Sequence, residues 1–258
     1  MGWNTWNKFA CDIHENLITQ TADLMVSLNL VSLGYKYLNL DDCWQQVERD
    51  KDGHVQVSEN FPSGMKKLGD YLHSKGMLFG LYSSAGTHTC EGRAGGLDYE
   101  NIDAKDYASW GVDYLKYDNC YNLGRPAIER YEAMRDALNS TGRPIFYSIC
   151  NWGDEDTASW APKVGNSWRT TQDIKDLWAS IEFNFMWNLD DRLASGPGGW
   201  NDPDMLEVGV GGLTLEEEKT HFALWAVSKA PLIIGADLSK ISDESLKILK
   251  NEDLIAIN

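Results

Sequence analysis

Acidic residues stand at the ends of several short apolar runs. Asp41 and Asp42 follow Tyr37-Leu38-Asn39-Leu40, Asp118 follows Tyr114-Leu115-Lys116-Tyr117, Asp173 lies just past Trp168-Arg169, and Asp202 and Asp204 follow Gly198-Gly199-Trp200-Asn201. One Asp after a strand is ordinarily a helix cap or a turn former. Six, flanked by aromatics, are harder to place. Clustered carboxylates repel, and burying them costs free energy unless they bind metal, pair with cations or transfer protons. Lys116 and Arg169 are the available cations. Lys116 precedes Asp118 by two residues, so on a strand both side chains point to one face. A cation there would keep Asp118 ionised, as a nucleophile requires. Oxygen-rich sites also suit magnesium or calcium. No EF-hand-like loop is present, however, and His14, His54, His73, His88 and His221 fall outside these motifs. A serine-nucleophile GxSxG motif is absent too. Two carboxylates acting on a sugar, without metal or cofactor, is the simplest chemistry.

The elements that would carry these residues recur regularly. Eight strand-like runs are Gly2–Trp6, Tyr35–Asp41, Leu78–Ser83, Val112–Asp118, Pro144–Cys150, Ser167–Thr171, Gly199–Asp202 and Pro231–Ala236. A barrel of this length needs about 31 residues per βα unit, and the run starts follow that rhythm. Helical patterns fill the gaps. Leu17, Thr21, Leu24, Met25 and Leu28 share one face. Ser63 is expected to cap a helix carrying Met65, Leu68, Tyr71 and Leu72 that ends at Gly76. Pro126 starts another, with Ile128, Tyr131, Met134 and Leu138 on one side. Thr214-Leu215-Glu216-Glu217 reads as a capping box. The expected fold is α/β, a (β/α)8 TIM barrel over residues 1–258. An open doubly wound sheet is the alternative, but the GxGxxG of its dinucleotide-binding form is missing. In a barrel all strand carboxyl ends meet at one rim, so the acidic residues would converge there.

Composition narrows the partners. The chain has 258 residues, 43% hydrophobic and 24% charged, a globular balance. Its formal net charge of −16 would repel nucleic acid but not a neutral sugar. Eleven Trp and eleven Tyr serve either core packing or stacking on sugar faces. No apolar run is long enough to span a membrane, and no signal peptide is visible. The five cysteines show no CxxC spacing, which argues against zinc. They could form two disulfides and one thiol, or stay reduced. Asn139-Ser140-Thr141 is a glycosylation sequon, a weak signal by itself.

Taken in order, the motifs resemble the α-galactosidases of glycoside hydrolase family 27. They are Met1-Gly2-Trp3-Asn4-Thr5-Trp6, Asn39-Leu40-Asp41-Asp42-Cys43-Trp44, Tyr114-Leu115-Lys116-Tyr117-Asp118-Asn119-Cys120, Trp168-Arg169 with Asp173, and Gly199-Trp200-Asn201-Asp202-Pro203-Asp204-Met205-Leu206. The resemblance implies Asp118 as nucleophile and Asp173 as general acid/base. It implies a galactose pocket of Trp3, Asp41, Asp42, Tyr82, Lys116, Arg169 and Asp204, with Asp202, Cys150 and Trp152 beside it. Asp41 and Asp42 would hold O4 and O6, and Arg169 would reach O2. Retention requires the two carboxyl groups about 5–5.5 Å apart, and Asp173 is expected to have the higher pKa.

The segment Cys150-Asn151-Trp152 would face the sugar 2-position. Relatives that accept an N-acetyl group carry small residues there, so Trp152 is expected to favour galactose over N-acetylgalactosamine. Asp41 argues against the β-L-arabinopyranosidase variant of the family. The resemblance also implies Cys11–Cys43 and Cys90–Cys120 disulfides with Cys150 free, and hence a secreted or otherwise oxidising location. Family members carry a leader before the barrel and a β-sandwich after it; residues 1–258 are expected to be the barrel alone. Asn29, where relatives have Gly, is expected to adopt the left-handed conformation. The natural leaving group and the oligomeric state stay open, and a galactose-binding barrel without turnover is the rival reading.

Overall fold

The computed structural model describes residues 1–258. Ten strands form: β1 (Gly2–Asn4), β2 (Tyr37–Asn39), β3 (Gln45–Arg49), β4 (Val55–Val57), β5 (Leu78–Ser84), β6 (Tyr114–Asp118), β7 (Phe146–Cys150), β8 (Ser167–Arg169), β9 (Trp200–Asp202) and β10 (Ile233–Ile234). Eight of them make one parallel sheet in the order β10-β1-β2-β5-β6-β7-β8-β9. A parallel bridge between Leu206 and Ile234 joins the two ends. There the Leu206 N–H donates to the Ile233 carbonyl at 2.8 Å. The sheet therefore closes into the expected (β/α)8 barrel. Each barrel strand falls on one of the eight runs foreseen from the sequence, with β5 reaching one residue past its run, to Ser84.

The helices are α1 (Trp6–Phe9), α2 (Glu15–Ser27), α3 (Met65–Ser74), α4 (Glu100–Trp110), α5 (Ala127–Ser140), α6 (Thr157–Trp160), α7 (Trp178–Asp190), α8 (Leu215–Val227), α9 (Asp243–Leu249) and α10 (Glu252–Ile257). Thr214 and Glu217 form the anticipated capping box at α8. Asn29 follows α2 with φ 61°, as expected of a residue that tolerates the left-handed region. Two local expectations fail. The cap of α3 is Gly64 rather than Ser63, whose N–H is drawn to Glu15 Oε2 at 2.9 Å. Ile128 is exposed on α5, while Tyr131, Met134 and Leu138 are buried.

Strand alternation sorts the barrel into two environments. On β6, Leu115 and Tyr117 face the helices and are fully buried, Tyr117 edge-on to Tyr131 of α5. Tyr114, Lys116 and Asp118 face inward. Register stacks the interior in rows: Gly80, Tyr114 and Phe146; then Tyr82, Lys116 and Ser148; then Ser84, Asp118 and Cys150. The lowest row is closed by aromatics, with Tyr114 and Phe146 stacked at 5.2 Å and Tyr37 at 5.5 Å from Tyr114. Gly80 is required where it stands, because a Cβ there would lie 1.9 Å from the Asn39 side-chain oxygen. Above this apolar plug the interior turns polar, and that sets the functional end.

The hairpin β3/β4 was not foreseen. Asp52-Gly53 between alternating residues was its turn signal. Arg49 pins it to the barrel through Asp103 at 2.6 and 2.7 Å and through the Gly95 carbonyl at 2.6 Å.

Candidate active site

Asp118 ends β6 on the top interior row and is 6% exposed. One carboxylate oxygen accepts the Asn119 N–H at 2.9 Å and the other accepts the Tyr82 hydroxyl at 2.9 Å. These bonds fix the carboxylate's direction. Tyr82 is itself held, since the Trp44 indole N–H donates to the Tyr82 carbonyl at 2.8 Å. Burial pushes the Asp118 pKa up; the Lys116 charge and the two hydrogen bonds pull it back, and the Asp173 charge raises it further. The net direction is upward.

Lys116 shares the inner face with Asp118, as the sequence implied, but does not bond to it. Its Nζ donates to Asp41 Oδ2 at 2.8 Å. It therefore acts on Asp118 through space. Asp41 Oδ2 also accepts the Asn4 side-chain amide at 2.8 Å, so one buried carboxylate knits β1, β2 and β6 together. Beside it, Asp42 accepts the Cys43 N–H at 2.7 Å and the Glu91 N–H at 2.9 Å. Burial raises the Asp42 pKa to about 6 against those bonds.

Arg169 organises the opposite wall. It reaches Asp173 at 3.0 Å, Asp204 at 3.1 Å and the Thr171 carbonyl at 2.9 Å. The Arg169 guanidinium is buried, whereas the Asp173 side chain is 67% exposed. Burial raises the Asp173 pKa, but the Arg169 and Lys116 charges and the Arg169 hydrogen bond outweigh it and hold the carboxyl below its usual range. The expected order of the two acids is thus inverted here: the buried Asp118 is raised, the exposed Asp173 lowered. The reason is position, since desolvation weighs most on Asp118 while Arg169 sits directly on Asp173.

Asp204, with φ 81°, accepts the Ile174 N–H at 2.9 Å and thereby ties the Asp173 loop to the end of β9. Asp202 lies lower. It lines a small interior cavity with Asn4, Asn39, Tyr114, Lys116 and Ser148, and burial raises its pKa to about 6. Cys150 is a buried free thiol level with Asp118, and the Arg169 Nη1 donates to its sulfur at 3.7 Å. Trp152 is half-buried on the loop after β7.

Trp3 needs correction. Alternation turns Asn4 inward and Trp3 outward. Trp3 is fully buried against Phe9, and its indole N–H is tied to the Ala236 carbonyl at 2.8 Å. It is a core side chain and does not line the bowl. Trp6, half-buried, lines a cavity at the rim beside Ile174 and Lys175. Sequence reasoning also passed over Asn4, Asn39, Ser148 and Met205, which line the interior cavity. The period-two alternation of β1, β2 and β7 was the signal for the first three.

Both disulfides implied by the resemblance are present, Cys11–Cys43 and Cys90–Cys120. Cys90, Cys120 and Asp118 gather within 4.8 Å. The two sulfurs are bonded to each other, so they offer no thiolates to a metal.

Closed parallel strands, a polar interior and acidic side chains converging at the carboxyl rim define a (β/α)8 barrel with its site at the strand ends. Residues 1–258 match the family described as alpha galactosidase A, and the chain belongs to that family. It is 57% identical over 259 residues to alpha-galactosidase 3 of Arabidopsis thaliana, covering all of this chain and 59% of that protein. The α-galactosidase structure of Saccharomyces cerevisiae superimposes with a TM-score of 0.98 at 45% identity, covering all of this chain and 63% of that one. The structure of the Saccharomyces cerevisiae enzyme with raffinose gives a TM-score of 0.94 at 44% identity, covering all of this chain and 63% of that one. The chain therefore spans about three-fifths of the length of these relatives.

Proposed function

We propose that residues 1–258 are the catalytic barrel of a retaining α-galactosidase that releases terminal α-D-galactose, with Asp118 as nucleophile and Asp173 as general acid and base. The observation that carries this reading is the unlike pair of carboxylates. Asp118 is buried and aimed by Tyr82 and Asn119. Asp173 is exposed on Arg169, close enough for its charge to act on Asp118.

In the first step a carboxylate oxygen of Asp118 attacks the anomeric carbon. The bond to the leaving-group oxygen breaks, and that oxygen takes the Asp173 proton. In the second step Asp173 removes a proton from water, the water oxygen attacks the anomeric carbon, and Asp118 leaves as carboxylate. Covering Asp173 with a bound leaving group strips it of water and raises its pKa toward the value an acid needs. Asp41 and Asp42, braced by Lys116, Asn4 and the Glu91 N–H, are suited to the 4- and 6-hydroxyls. The raffinose complex of the yeast relative supports an α-galactosyl oligosaccharide as substrate. The two disulfides support an oxidising compartment.

The test is hydrolysis of p-nitrophenyl α-galactoside followed by proton NMR. The first-formed galactose is expected to be the α anomer; the β anomer would overturn retention. Asp118→Ala is expected to lose more than about a thousand-fold in kcat, and full activity in that variant would remove Asp118 from the role.

A further inference from the structure

Arg130, near the start of α5, is 2% exposed and ends on no carboxylate. Its Nε donates to the Arg125 carbonyl at 2.9 Å, Nη1 to the Ala85 carbonyl at 2.9 Å and Nη2 to the Asn119 side-chain oxygen at 2.8 Å. Arg169, the other fully buried arginine, pairs with both Asp173 and Asp204. Burying a cation without a counter-charge is costly, and neutral acceptors offset that cost only in part. An apolar side chain could fill the same space without it. The charge and its three donors therefore call for a reason beyond packing.

The acceptors supply that reason. Ala85 follows β5, and Asn119 follows Asp118 at the end of β6. The Ala85 N–H donates to the Asp118 carbonyl at 2.7 Å, and the Asn119 N–H donates to the Asp118 carboxylate at 2.9 Å. Arg130 thus grips both residues whose N–H groups hold the nucleophile. It takes Ala85 by the carbonyl and Asn119 by the side chain. A guanidinium aims its donors in one plane at fixed angles, so the two loops are set relative to each other as well as to α5. Turning the Asn119 peptide would swing its N–H off the carboxylate. Attack on an anomeric carbon is sensitive to shifts of that size.

We propose that Arg130 is a positioning residue for the nucleophile, acting through Asn119 and Ala85 to keep the Asp118 carboxylate on its line of attack. The proposal rests on the reading of Asp118 given above. Arg130→Met keeps the length of the side chain and removes all three donors. Its kcat on p-nitrophenyl α-galactoside, per folded molecule, is expected to fall about a hundredfold while KM stays within about threefold. Arg130→Lys, which restores the charge and one donor but not the fork, should recover part of that loss. Asn119→Ala cuts the same chain one link nearer Asp118 and should show the same split between kcat and KM; it decides the matter should Arg130→Met fail to fold. Where both fold, the double variant should lose little more than the worse of the two singles, since they act along one route. Losses that multiply in the double variant overturn the route through Asn119. A urea midpoint that drops while kcat per folded molecule holds overturns the proposal and leaves Arg130 a structural tie. Full activity in Asp118→Ala overturns the nucleophile reading itself, whatever the Arg130 variants do.

Discussion

At the scale of single residues, the two acids differ in what surrounds them, and their variants should differ accordingly. Asp173 is asked for a proton only when the leaving group is basic. Asp173→Asn is therefore expected to cut kcat/KM on galactosyl-α-(1→6)-glucose by about 10²–10⁴-fold. On p-nitrophenyl α-galactoside, with its acidic phenol, the loss should be far smaller. Equal losses on the two would argue that Asp173 merely orients Arg169, to which it is bonded at 3.0 Å. Trp152 occupies the loop after Cys150, level with the nucleophile. Trp152→Ala is expected to raise the turnover of p-nitrophenyl N-acetyl-α-galactosaminide relative to the galactoside. A selectivity indifferent to this change would place the acetyl-excluding contact elsewhere. Asp41, Asp42, Asp118 and Asp173 could be named from their positions after apolar runs. Their ionisation order could not, because it depends on how deeply each carboxyl sits and on which cation touches it.

At the scale of elements, the straps over the rim hold the nucleophile's support in place. The Cys90–Cys120 bridge joins the loops after β5 and β6 across 30 residues. Tyr82 lies against it, its hydroxyl 3.3 Å from Cys90 Sγ and 2.9 Å from Asp118. Replacing both cysteines by serine is expected to cost about 2–4 kcal/mol in urea unfolding. It should also lower kcat, because Tyr82 loses a wall that aims it. A stability loss with kcat untouched would confine the bridge to a structural role. The barrel strands were legible because each is a short apolar run at a regular interval. The hairpin β3/β4 was less so, since its residues are polar and its anchor, Arg49 on Asp103, spans 54 positions.

At the scale of the whole molecule, the cluster of buried acids makes stability depend on pH. Glu207 is the sharpest case: its pKa rises from 4.5 to about 8 on folding. The folded state therefore binds the proton more tightly than the unfolded chain, so this group's stabilisation is fully present below about pH 4.5 and lost as pH climbs through 8. Glu207→Gln removes that dependence. The Tm of the variant minus that of wild type is expected to grow from pH 4.5 to 8 in thermal unfolding. A difference that stays flat would mean that the Glu207 carboxyl is not held protonated by the fold. The sequence by itself determined the strand rhythm, the family, the two disulfides that the resemblance implied and the acidic residues at the rim. Period, spacing and residue type are local properties, and a linear chain displays them. Only the tertiary structure decided that Trp3 faces the core while Trp6 faces the rim, that Lys116 bonds Asp41 rather than Asp118, and that Glu207 stands unpaired by any cation in a rim cavity. Those outcomes depend on which face of a strand meets which neighbour after closure, and on burial, which no stretch of sequence carries alone.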